Sequence, residues 1–243
     1  ASFAPLASTA TAQAPRADSL IRGFDPIRLR RIDTYMQSQV DSSRIAGAVA
    51  LVLRDGQVVY ERAFGWADRE ARRRMGSDAM FRIASQTKAL TSIAAMMLIE
   101  EGKLALNNPV GRFIPSYART TVMVNGSVVP ARRPITIRDL LTHTAGISYG
   151  SDSAVASLYR TKKLGPVAGA GGWYILDLDE PVCATMDTVA TLPFVRQPGE
   201  AWVYGYATDI LGCVVERVSG MSLDEFFRTR ITGPLGMTDT HFF

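Results

Sequence analysis

The chain has 243 residues and a mass of 26.4 kDa, with 47% apolar and 21% charged residues, enough apolar material for a real core. It contains no run of about 18 uncharged apolar residues, so no segment is a candidate membrane-spanning helix. With 20 Gly, 12 Pro and 2 Cys it is neither collagen-like, nor a disulfide scaffold, nor disordered throughout.

The net charge of +4 sits mostly on scattered arginines, and no basic stripe or aromatic platform accompanies it, so no nucleic-acid partner is expected. The run Arg72-Arg73-Arg74 reads as a solvated loop. Residues 1–20 are rich in Ala, Ser, Thr and Pro and contain Ala10-Thr11-Ala12, a small-x-small pattern like an export cleavage site. They read as a flexible arm or signal remnant and point to a periplasmic or secreted protein, with a cytoplasmic one as the alternative.

Asp25-Pro26 opens a helix, with Leu29, Ile32, Met36 and Val40 along one face. Two β-favouring runs, 46–54 and 57–65, flank Asp55-Gly56, a strong hairpin signal. A lone hairpin is marginal in water, so these strands need sheet neighbours. Residues 21–84 are therefore read as helix plus hairpin of an α/β domain.

From Ser85 a helix runs to Glu101 and stops at Gly102, with Ala89, Leu90, Ile93, Ala94, Met97 and Leu98 as its expected buried positions. Thr136 caps a short helix through Leu140 and Leu141, and Gly146 marks its end. Residues 147–197 read as loop-rich, with a glycine cluster at 169–172. A helix follows over 207–218, and Ser222-Leu-Asp-Glu225 is a capping box for the last one, broken at Gly233-Pro234. The expectation is one early hairpin and then a mainly helical domain over 85–243. Cys183 and Cys213 allow a disulfide between them that nothing in the sequence supports, and two buried free thiols are the expectation preferred over it. With His143 and His241 the only histidines, no metal site is expected.

Two serines compete as nucleophile. Ser85-Gln86-Thr87-Lys88 places a hydroxyl and an ammonium on one helix face. A lysine can take the serine proton once its own pKa is lowered from about 10.4, by burial or a neighbouring cation or hydroxyl network. A helix start also offers free N–H groups to a developing oxyanion. By itself the pattern is weak, because a capping Ser followed by a surface Lys looks the same. The second candidate, Gly146-Ile147-Ser148-Tyr149-Gly150, matches Gly-x-Ser-x-Gly. That elbow demands a buried strand before the serine and a helix after it, whereas a capped helical pattern precedes Ser148. Its partner histidine could only be His241.

The surroundings of Ser85 separate the two. Phe81-Arg-Ile-Ala-Ser-Gln-Thr-Lys-Ala-Leu-Thr, Glu101-Gly-Lys-Leu-Ala-Leu-Asn-Asn-Pro-Val and Ile135-Thr-Ile-Arg-Asp-Leu-Leu-Thr-His-Thr-Ala-Gly stand in order along the chain. Gln197-Pro-Gly-Glu-Ala-Trp-Val-Tyr204 and Gly233-Pro-Leu-Gly-Met-Thr-Asp-Thr follow them. Together they resemble the serine beta-lactamase-like and penicillin-binding-protein superfamily, which includes class C beta-lactamases, DD-peptidases, family VIII carboxylesterases and acyltransferases. The likeness is nearest to the family VIII carboxylesterases. It implies a beta-lactamase/DD-peptidase-like α+β fold, an antiparallel sheet with flanking helices beside a mainly helical domain.

It also implies roles. Ser85 would be acylated, Lys88 would activate it, and Tyr204 would shuttle protons to the leaving group. The Ser85 N–H would be one oxyanion donor, and no cofactor would be needed. Ser148 would not be catalytic and His143 would be a packing residue. Beta-lactamases and peptidases of the group show Tyr-x-Asn where this chain has Tyr204-Gly205-Tyr206, and Asp209 stands five residues after Tyr204 as in the esterase branch. Tyr206 and Asp209 are therefore expected in substrate binding, and a small-molecule ester is preferred to a beta-lactam or D-Ala-D-Ala peptide. Acyl transfer and a non-catalytic binding module are further readings. The resemblance also leads one to expect C-terminal sheet strands, one carrying Lys-Thr-Gly or an equivalent, that are missing from this chain. Either the chain is a fragment or a companion C-terminal polypeptide completes it.

Overall fold

The computed structural model describes residues 21–166 and 180–242. The expected N-terminal arm at 1–20 and the glycine cluster at 169–172 lie outside the described residues. The chain divides into two units, Ala1–Phe81 and Arg82–Phe243.

In the first unit α1 (Pro26–Asp41) starts where Asp25 Oδ1 accepts the Ile27 N–H at 2.8 Å, with proline where its missing N–H costs nothing. Strands β1 (Gly47–Arg54) and β2 (Gln57–Asp68) pair antiparallel, from Gly47 opposite Gly65 to Arg54 opposite Gln57. Asp55 and Gly56 between them have φ of 51° and 70°, the double left-handed conformation that a two-residue type I′ turn requires. A short β3 (Arg73–Arg74) adds to β2, and the Arg74 guanidinium lies 3.9 Å from the centre of the Trp66 ring. Two of the three arginines read as loop thus form a strand, fixed by a cation–π contact that composition does not reveal. The Tyr60 hydroxyl donates to Asp33 of α1 at 2.5 Å.

The second unit is mainly helical. A 3-10 turn, Ala84–Gln86, leads into α2 (Thr87–Glu100), which ends before Gly102 at φ 70°. α2 packs on α6 (Ala207–Ser219), burying Thr91, Ala94, Ala95 and Leu98. Ala89 and Ile93, expected inside, are exposed. The contact is made by a small-residue face that lets the helices approach closely: a Cβ added to Gly212 of α6 would lie 3.9 Å from Thr91 Cγ2. Hydropathy ranks Ile93 above Thr91 and misses this.

A second hairpin, β4 (Thr121–Val124) and β5 (Ser127–Pro130), turns at Asn125-Gly126 with φ of 48° and 79°. This hairpin is absent from the expected elements, although Asn125-Gly126 carries the same kind of signal as Asp55-Gly56. After this hairpin α3 (Ile137–Leu141), capped by Thr136, packs against α6 with Ile137, Asp139 and Leu140 buried. Two helices, α4 (Ala156–Thr161) and α5 (Val182–Ala190), lie in the stretch expected to be loop-rich. Short helices bordered by polar residues have too few turns to show a period.

After α6, which Gly220 closes at φ 74°, α7 (Leu223–Phe227) begins with Ser222 Oγ accepting the Glu225 N–H at 3.1 Å. The core gathers Leu98, Ile137, Leu140, Met186, Ile210 and Phe226 from these helices, all at 0% exposure. Cys183 and Cys213 form a disulfide between α5 and α6, with Cα atoms 5.1 Å apart. The expectation of free thiols is therefore corrected. The two residues are 30 apart in sequence, and only the side-by-side packing of α5 and α6 brings them within bridging distance. Among the described residues no helix is long and apolar enough to cross a membrane.

Candidate active site

Ser85 is the middle residue of the 3-10 turn that opens α2, so its N–H has no partner within the helix. The residue before it, Ala84, has φ 43°, a left-handed conformation that costs an L-residue with a Cβ roughly 1–2 kcal/mol. Such strain persists where the surroundings impose it. One turn on, Lys88 Nζ donates to Ser85 Oγ at 3.1 Å. From 119 residues further along the chain, Tyr204 Oη donates to the same oxygen at 2.7 Å. Three side chains from two distant segments therefore meet at one exposed hydroxyl.

Tyr204 is delivered by a chain of fixed contacts that begins at Asp139 in α3. The Asp139 carboxylate is 6% exposed and takes both Arg133 guanidinium nitrogens, at 2.6 and 2.9 Å. It also takes Thr136 N at 2.9 Å, Thr136 Oγ1 at 2.7 Å and Thr144 Oγ1 at 3.2 Å. Burial opposes its ionisation, but the bonds from Arg133 and Thr136 outweigh this and hold the carboxyl below its ordinary value. The loop so anchored then binds the tyrosine loop: Thr144 O accepts Gly199 N, and His143 O accepts Val203 N, each at 2.8 Å. Next to Tyr204, Gly205 lies flat on the backbone of Ile147 and Ser148, where any Cβ would collide with main-chain atoms. The Tyr204 ring stacks on Trp202 with centroids 5.8 Å apart and 17° between planes, and the His143 ring is 5.0 Å away.

The electrostatics correct one expectation. Burial works to lower the Lys88 pKa, as the sequence reading required, but the phenols of Tyr204 and Tyr149 stabilise the ammonium and the net direction is upward. For Tyr204 burial works upward, while Ser85 and Lys88 pull its pKa below the ordinary phenol value. A tyrosine beside a retained cation is thus the group made more acidic, and a lowered-pKa lysine is not what this geometry produces. Burial pushes Asp209, in the first turn of α6, up to about 6 against the pull of Lys88. His143 is pushed down by burial and by Lys88, and its Nδ1 is buried with no hydrogen-bond partner in the described structure. It is a neutral packing residue.

The remaining site residues divide. Asp209 and Lys88 share a cleft of about 440 Å³ between α2 and α6, walled also by Thr87, Thr91, Thr208 and Leu223. Tyr206 does not reach it. Its ring has 0% exposure and its hydroxyl accepts the Gly165 N–H at 3.3 Å, so the expected substrate contact is corrected to a core role. Alternation explains this: two residues after Tyr204, and just before α6, the chain has turned inward. Ser148 is 5% exposed and spends its hydroxyl on the Gly150 N–H at 3.0 Å, and a loop after helix α3 precedes it instead of a strand. The elbow reading fails on both counts. Sequence reasoning missed Tyr149 and Trp202 as neighbours of the site. Tyr149 sits inside the Gly-x-Ser-x-Gly match, a pattern whose only chemical signal is the serine. Among the described residues no group of His, Cys, Asp and Glu could hold a metal ion.

The Beta-lactamase family pattern matches residues 32–243. The chain is 37% identical to esterase EstB of Burkholderia gladioli over 212 residues, covering 87% of this chain and 51% of that protein. It is 36% identical over 208 residues to protein Rv1367c of Mycobacterium tuberculosis, covering 84% of this chain and 49% of that protein. Among solved structures, EstCE1, a hydrolase with promiscuous acyltransferase activity, superposes with a TM-score of 0.70 at 33% identity, over 86% of this chain and 51% of that one. The chain therefore spans about half the length of the curated relatives it matches. The likenesses bear out the expected beta-lactamase/DD-peptidase-like fold.

Proposed function

The chain belongs to the beta-lactamase family, and from that premise we propose that it is a serine hydrolase that cleaves small carboxylic esters through an acyl-enzyme on Ser85. The observation that carries this reading is the meeting of Lys88 Nζ and Tyr204 Oη at Ser85 Oγ, at 3.1 and 2.7 Å. In the reactive state Tyr204 is the phenolate, stabilised by the Lys88 ammonium. Ser85 Oγ attacks the ester carbonyl carbon while its proton passes to Tyr204. The tetrahedral oxyanion is held by the Ser85 N–H. Tyr204 then gives that proton to the departing alkoxide as the C–O bond breaks. Water repeats the sequence on the acyl-enzyme, losing a proton to Tyr204, which returns it to Ser85 Oγ as the acid leaves.

Two further observations support an ester over an amide or lactam. Position 206, which carries the amide in the Tyr-x-Asn pattern, presents a buried phenol and offers no polar group to a substrate amide. EstB, a relative named as an esterase, is identical at 37% of the aligned residues. Replacement of the water by an alcohol gives acyl transfer at the same site, a second reading favoured by the description of EstCE1. An oxidising compartment, periplasmic or extracellular, is the reading the Cys183–Cys213 bridge supports.

The test is turnover of a short-chain aryl ester by the full-length protein, beside a chromogenic cephalosporin. Ser85→Ala abolishes ester turnover and fluorophosphonate labelling, whereas Ser148→Ala retains most of both. Fast cephalosporin turnover with negligible esterase activity overturns the substrate assignment, and an unlabelled Ser85 in an active protein overturns the site.

A further inference from the structure

The Gly146-Ile147-Ser148-Tyr149-Gly150 segment does not supply a nucleophile, yet the structure holds it more rigidly than a connecting loop needs. Gly146 has φ 79° and a Cβ there would strike the Arg196 carbonyl, while Gly146 O accepts the Val195 N–H at 2.8 Å. Gly150 has φ 76°, and a Cβ there would lie 2.7 Å from the Tyr159 ring. Ile147 has 0% exposure, and Ser148 Oγ closes a local turn onto Gly150 N. On the other side Gly205 rests on the Ile147 and Ser148 main chain. The loop carrying Tyr204 and the loop carrying Tyr149 are thus in backbone contact, and a side chain at Gly205 would part them.

What this frame presents is one phenol. The Tyr149 ring meets Tyr204 edge-on at 5.5 Å and 77°, and is locked from behind by Tyr206 at 4.8 Å and 79°. The Lys88 Nζ lies 5.8 Å from its centroid and 4.9 Å from that of Tyr204. An ammonium has three N–H donors, and here Ser85, Tyr204 and Tyr149 bring three hydroxyls around it from three segments. We propose that Tyr149 is a positioning residue of this site, its phenol holding the Lys88 ammonium between Ser85 and Tyr204. This rests on the Ser85-Lys88-Tyr204 reading above.

The other groups facing Lys88 fit this role. Asp209 of α6 shares its cleft and favours the cation, while His143, beside Tyr204, is neutral. Glu216 and Asp224 line the same cleft. None of these is held by the glycine frame. With the third hydroxyl gone, the ammonium is less favoured, so Lys88 loses its proton at lower pH and Tyr204 loses the charge that makes it acidic.

The experiment is Tyr149→Phe in the full-length protein, which keeps the ring and its edge contacts and removes only the hydroxyl. Lys88 is titrated directly by its rate of amine-selective acetylation against pH, mapped by mass spectrometry, in wild type, Tyr149→Phe and the control Tyr35→Phe, an exposed tyrosine of α1. In parallel, kcat/KM for an aryl ester is followed over the same pH range. The expected result is that the Lys88 titration and the alkaline limb of kcat/KM both move to lower pH in Tyr149→Phe, so that activity falls about tenfold at pH 9 and less than threefold at pH 7, with Tyr35→Phe unchanged. A titration that stays in place, or a loss of the same size at every pH, overturns the proposal. The acetylation readout needs no turnover, so it remains decisive even where Ser85 proves not to be the nucleophile.

Discussion

Tyr204→Phe removes one atom from the site and tests the division of labour between phenol and amine. The ring contacts with Trp202, His143 and Tyr149, at 5.8, 5.0 and 5.5 Å, do not involve the hydroxyl. Tyr204 is 38% exposed, so no buried partner is stranded, and stability should stay within about 0.5 kcal/mol of wild type. A positioned general base contributes about 10²–10⁴-fold, or about 2.7–5.5 kcal/mol in the barrier, and the 2.7 Å contact with Ser85 Oγ is the geometry that contribution requires.

The sign of the pH dependence follows from the directions of the two pKa values. Wild-type kcat/KM rises with pH as Tyr204 deprotonates below its ordinary value, and falls once Lys88 loses its proton above its own. In Tyr204→Phe the acid limb set by the phenol disappears. Residual activity then increases toward high pH, where Lys88, at 3.1 Å from Ser85 Oγ, becomes the remaining base. The assay is kcat/KM for an aryl acetate from pH 6 to 10, with fluorophosphonate labelling of Ser85 and a thermal melt as controls. A loss below tenfold with the acid limb unmoved refutes the assignment of Tyr204 as base.

Asp139→Ala withdraws the acceptor that ties Arg133, Thr136 and Thr144 together, and should cost about 2–3 kcal/mol in a urea melt at pH 7. The guanidinium is 42% exposed and can turn to water, which keeps the figure low; equal midpoints at pH 7 would count against the anchor. Because the folded carboxyl lies below its ordinary value, its stabilisation is complete above the unfolded pKa near 3.9 and is lost as pH falls through the folded one. The gap between wild type and variant should therefore close in acid. Replacing Cys183 and Cys213 together by Ser opens a bridge across a separation of 30 residues, for which chain entropy predicts a loss of about 3–4 kcal/mol. An unchanged denaturation midpoint, with and without reductant, would show that the helices hold themselves.

Local rules carried far in this chain. Asp25-Pro26, Asp55-Gly56, Thr136 with Asp139 and Ser222 with Glu225 each specify a cap or a turn through the conformations of two to four neighbouring residues, and each sits where the sequence puts it. The Ser85-Lys88 contact belongs here too, since one helical turn enforces it. Tyr204 was reachable only through resemblance, because no local rule links positions 119 residues apart. What only the tertiary structure decided is of a different kind. The small face of α2 is buried because Gly212 of α6 admits it, and the cysteines are bridged because α5 lies along α6. Tyr206 turned inward, and Tyr149, to which the sequence assigned no role, is a neighbour of Lys88. The charge on that lysine was decided last. Burial alone would lower its pKa, and the two phenols brought to it by separate loops reverse the direction, a sum over through-space neighbours that no order of residues along a chain can state.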